Sequence, residues 1–157
     1  MARHLWAIPL GWRGAVRAAA ALMLLLGPSA GHPATAGAAR STHLAVDAHL
    51  HYVTAKGSYL IEEGSASGPL AGIVKARIRV TAEISGSFTF YPRGGSITGR
   101  GVGVLHESGV YASFGGSVTV LGGSGRFAHA HGTGGFYGVY DRRTLGVTIQ
   151  TTGNLSY

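Results

Sequence analysis

Val74-Lys75-Ala76-Arg77-Ile78-Arg79-Val80-Thr81 alternates an apolar residue with a charged or polar one at every step. Successive side chains of a β-strand point to opposite sides, so this spacing predicts a strand with one face on a core and one in water. The same rhythm extends in both directions. Toward the N-terminus, Leu44, Val46, Ala48, Leu50 and Tyr52 share a face opposite His43, Asp47, His49 and His51. A second run, 58–63, leads into a Gly/Ser/Pro turn at 64–69. Toward the C-terminus, Ile84, Gly86, Phe88 and Phe90 continue the pattern up to a turn at 92–95. Residues 96–106 form a glycine-studded strand whose facing stays open, because Val102 and Val104 compete with Ile97 and Leu105 for the inside. Val110, Ala112, Phe114, Gly116, Val118 and Val120 then share a face, and 133–141 and 144–157 supply two more strands.

Eight strands joined by short turns, with no window of 3.6-residue periodicity, give an all-β chain. We expect a single eight-stranded antiparallel β-barrel over 42–157, since closure removes the sheet edges on which β-proteins aggregate. An open sandwich is the competing arrangement. Glycine favours the barrel: 22 of the 27 glycines follow residue 40, many inside strand patterns, where they mark bulges and tight coiling.

Residues 1–38 read differently. Arg3, Arg13 and Arg17 precede an apolar run, 18–26, and Gly27-Pro28 ends it. Ala34-Thr35-Ala36 and Ala36-Gly37-Ala38 follow as cleavage patterns, so this segment reads as a signal peptide cut near 36–38, and the product as a secreted protein. The run is too short for a membrane span, which needs about 20 apolar residues. From residue 40 onward ten basic residues stand against six acidic ones, a net charge of +4, spread out rather than gathered into a stripe. That distribution excludes nucleic acid as a natural partner. With no cysteine, the domain must be held by burial alone, and thiol nucleophiles, cysteine zinc sites and redox pairs are excluded.

The most specific segment is 118–132, VTVLGGSGRFAHAHG, followed by Gly135-Phe136-Tyr137-Gly138. Gly122, Gly123 and Gly125 supply conformations that let the chain turn sharply and tuck Phe127 under the sheet. A strand ending in Gly-Gly-Ser-Gly-x-Phe, then an alanine-containing turn and a glycine, resembles the conserved turn of the allene oxide cyclase and dirigent barrel superfamily. That resemblance implies an eight-stranded barrel with an apolar cavity, commonly assembled as a homotrimer. The matched residues make turns, and the plant cyclases' cysteine has no counterpart.

Candidate chemistry is sparse. Asp47, His49 and His51 fall on one face at roughly 7 Å between alternate residues, a spacing that suits imidazole metal ligation, but a solvated face, or one packed against a neighbouring subunit, explains it more simply. No metal and no cofactor is expected. Glu62 and Glu63 are adjacent in a strand and so face opposite ways. Glu63, grouped with Tyr59 and Ile61, is the candidate for the inside, where burial would raise its pKa, although a solvated strand-end carboxylate is the simpler reading. Arg100 and His106 share a face with Val102 and Val104 and would join Glu63 as the polar groups of a greasy pocket if that face turns inward. The expected function is binding of a small apolar ligand or a partner without catalysis. An isomerase or cyclase of a lipophilic substrate is the first alternative, and a small outer-membrane barrel the second. No stable membrane insertion is expected after processing.

Overall fold

The computed structural model describes residues 40–157 except 107 and 108; the expected signal peptide, 1–38, and the expected cleavage near 36–38 lie outside the described residues. Eight strands run in chain order: β1 (Ser41–Lys56), β2 (Tyr59–Ser67), β3 (Gly72–Val80), β4 (Glu83–Pro92), β5 (Gly95–Leu105), β6 (Tyr111–Gly125), β7 (His131–Asp141) and β8 (Gly146–Ser156). Each pairs antiparallel with the next, and β8 pairs back with β1, so the sheet closes into a barrel. No helix is present among the described residues.

Alternation decides what lies inside. Val74, Ala76 and Ile78 of β3 are buried while Lys75, Arg77 and Arg79 are exposed. Ala48 and Leu50 of β1, Ile84 and Phe90 of β4, Phe114 of β6, Tyr140 of β7 and Val147 and Leu155 of β8 complete the core.

Two extra residues bend the wall. Val53 of β1 has no partner between the pairs Tyr52↔Glu62 and Thr54↔Ile61. Leu121 of β6 is similarly unopposed, between Val120↔Gly99 and Gly122↔Thr98. Each is a β-bulge, which raises local twist and shifts by one residue which side chains face inward. Leu121 itself is 61% exposed, and beyond it the parity changes: Gly123, not Gly122, pairs with buried Ile97.

The facing of β5, open on sequence grounds, is the reverse of what valine preference suggests. Ile97, Gly99, Gly101, Gly103 and Leu105 alternate on the inner side, and Val102 and Val104 are about half exposed. Ring packing accounts for it: a Cβ at Gly99 would meet Phe88 at 2.5 Å, and one at Gly103 would meet Phe136 at 3.0 Å. Phenyl groups from β4 and β7 therefore fill the volume that β5 side chains would occupy.

Two other sequence boundaries move. Residues 64–67 belong to β2 rather than to a turn, so the β2–β3 connection is only 68–71. Val110 precedes β6 and is exposed, not part of its inner face. Beyond β6, Gly125 adopts φ 61°, and Phe127, Ala128 and Ala130 each donate a backbone hydrogen bond three residues back, at 2.9–3.2 Å. This tight turn carries Phe127 beneath the barrel, fully buried, with Tyr157 against it at 4.8 Å between ring centroids.

Candidate functional site

The barrel interior holds a cavity of about 180 Å3. It extends from Val80 and Ile84, at the β3–β4 end, to Leu44 and Leu155 at the opposite end, and Val46, Val118, Phe136 and Ile149 line its middle. Apolar cavities of this order, about 150 Å3, stay dry and admit molecules the size of benzene. The lining is overwhelmingly aliphatic and aromatic, and it includes no charged side chain among the described residues.

All three polar groups expected in the pocket stand outside it. Glu63 is on the outer face, where Lys75 Nζ donates a 2.8 Å hydrogen bond to its Oε1. That bond raises the pKa of Lys75. Arg100 is exposed on the outer face of β5, beside exposed Val102, and His106 is exposed just beyond its end. The inward carboxylate is Glu62 instead, because Leu60, Glu62 and Ala66 alternate on the side that meets Ile78, Ala76 and Gly72 of β3.

Glu62 is completely buried, and neither carboxyl oxygen has a hydrogen-bond partner among the described residues. Desolvation penalises its charged form and lifts the pKa from 4.5 to about 7. Tyr52 of β1 and Ala76 of β3 stand directly opposite it in the two ladders. Across the barrel it acts on Tyr140, whose pKa is raised first by burial and then by the Glu62 charge. The cavity wall is one residue away: Ala76, Leu50 and Ile78, around the Glu62 position, all line it.

The signal that could have identified Glu62 is Lys75. Its outward position in the plainest strand of the chain calls for an opposite charge across the ladder, which is Glu63, and the neighbouring glutamate must then face in.

Asp47, His49 and His51 do share the exposed face of β1, with His49 Nδ1 3.3 Å from Thr148 Oγ1 and His51 across the ladder from Glu63. No group of three or more metal-ligating side chains converges among the described residues. Gly122 and Gly123 follow the Leu121 bulge, and Gly125 leads into the turn that buries Phe127. Comparison with known proteins finds no matching family model, no matching curated protein and no matching solved structure.

Proposed function

We propose that this protein is an exported barrel that binds a small apolar molecule in its interior without transforming it. The observation that carries this reading is the cavity: walled by β-strands, predominantly apolar and large enough for a benzene-sized guest. The likeness of the Gly122–Phe127 turn to ligand-holding barrels agrees with it, and export rests on the leader pattern at 1–38. The outer-membrane alternative asks for the opposite dressing, apolar outside and polar within. Lys75, Arg77 and Arg79 outside, with valine, isoleucine and phenylalanine inside, argue against it.

A second reading, an isomerase of a lipophilic substrate, draws support from Glu62 alone, since a carboxyl with a pKa near 7 suits a general acid. The test of binding is titration of the full chain with hexan-1-ol followed by calorimetry. Saturable binding is expected, and Val118→Phe, which fills the cavity, should abolish it while leaving the circular dichroism of the barrel intact. Failure of the wild-type chain to saturate would remove the reading.

A further inference from the structure

Among the described residues, Glu62 is the buried side chain whose polar atoms have no hydrogen-bond partner. A buried carboxyl is ordinarily hydrogen-bonded or paired, and one that is neither carries a desolvation cost that a leucine would not. The groups facing it do not relieve that cost. β1 contributes Tyr52, β7 contributes Tyr140, and β3 offers only Val74, Ala76 and Ile78. On β8 the inward residues are Val147, Ile149 and Thr151, and the lysines and arginines of β3 project outward. No ion pair among the described residues involves the carboxylate, yet its cross-strand partner Ala76 is part of the apolar cavity's wall.

An apolar cavity whose wall, at Ala76, backs onto a lone inward acid would suit a molecule with a hydrocarbon body and a cationic, hydrogen-donating head that draws the carboxyl toward it. We propose that Glu62 is the polar anchor of the interior site, and that the ligand class the barrel selects is a small lipophilic amine. This inference rests on the apolar-ligand reading above. The ammonium group would supply the charge and N–H donors that the Glu62 oxygens lack. The hydrocarbon would occupy the space among Val46, Val118 and Ile149. A carboxylate ligand would face an uncompensated like charge, and an alcohol would leave one oxygen of Glu62 without a donor.

The ionisation of Glu62 fits this assignment. Its pKa of about 7 makes the empty site partly protonated at neutral pH, and a bound ammonium favours the ionised form.

Three probes with the same six-carbon chain test it: hexylamine, hexan-1-ol and hexanoate, titrated by calorimetry into the full chain at pH 8. Hexylamine should bind roughly tenfold or more tighter than hexan-1-ol, the range for a charge-assisted hydrogen bond, and hexanoate weakest. Glu62→Gln should erase the preference for the amine over the alcohol. The wild-type chain gives a second measurement that needs no variant: the affinity ratio of hexylamine to hexan-1-ol should climb between pH 6 and 8, as Glu62 ionises. Binding of hexan-1-ol with no preference for the amine, a flat ratio against pH, or a preference retained in Glu62→Gln would each overturn the anchor while leaving the apolar-ligand reading intact. If none of the three binds, both fall together.

Discussion

The two ends of the barrel bury opposite things. Where β1 begins and β8 finishes, the 126–130 turn seals the interior with Phe127, Tyr157 and Leu155, and the Arg126 guanidinium lies 4.7 Å from the Phe127 ring centre. Toward the other end, at the level of Tyr52 and Tyr140, the barrel hides a carboxyl without a partner. The first end gains stability from everything it covers, whereas the second gives some up. A chain held by burial alone keeps such a cost where another property depends on it, so the plugged end reads as the foundation and the Glu62 end as the working part.

Phe127→Ala removes the plug itself. A fully buried phenylalanine replaced by alanine should cost about 3–5 kcal/mol in denaturant unfolding, the largest effect of any single change considered. A loss below 1 kcal/mol, on the order of a surface substitution, would show that the turn is not a foundation.

Next in size is the pH dependence of Glu62. Its carboxyl holds its proton to about 7 in the folded state against 4.5 when free, so the folded state binds more protons between those values. The Glu62 contribution to stability is therefore full below pH 4.5, declines as the pH rises toward 7 and stays lost above it, a difference of about 3 kcal/mol. Glu62→Gln should flatten this decline and unfold at higher denaturant concentration than wild type at pH 8. Equal slopes for the two proteins would show that the carboxyl is not desolvated.

Arg126→Ala comes third. Losing the guanidinium from the faces of Phe127 and Tyr157 should lower stability by about 0.5–1 kcal/mol, measurable as a lower thermal midpoint. Last, Lys75→Ala on the outer wall breaks an ion pair whose members are both exposed to solvent, and the unfolding midpoint should stay within experimental error. A large loss there would mean that the outer face contributes more than the comparison allows.

Much of the barrel was legible because water and hydrocarbon alternate visibly along β1, β3, β4 and β8. Lys75, Arg77 and Arg79 leave no doubt about which way Val74, Ala76 and Ile78 face. The glycine strand β5 resisted because its inner volume is filled by rings from other strands, Phe88 and Phe136, which no local pattern reveals. The inward glutamate lies one residue from the expected one, and Arg100 and His106 face outward with the β5 valines. Two glutamates in succession erase the contrast on which alternation depends, and Tyr59 and Ile61 beside Glu63 made the wrong parity attractive. Only the cross-strand pairing of Glu63 with Lys75 breaks the tie, and that pairing is set by a β2–β3 connection shorter than the run of glycine, serine and proline suggests. The bulge residues Val53 and Leu121 look like ordinary apolar strand positions and become conspicuous only when counted against their partners.

Closure leaves one mark on how the chain must assemble. Seven of the eight strand contacts join neighbours in sequence and can form as local hairpins, but the seam links Ser41 to Ser156 and Leu50 to Val147, and Arg40 and Tyr157 exchange backbone hydrogen bonds at 2.9 Å. Bringing such distant segments together costs loop entropy before any contact repays it, so the ring should zip shut there last and slowly. Until it does, two raw strand edges face the solvent, and the interval before that final stitch is when the polypeptide is most exposed to sticking to its own kind.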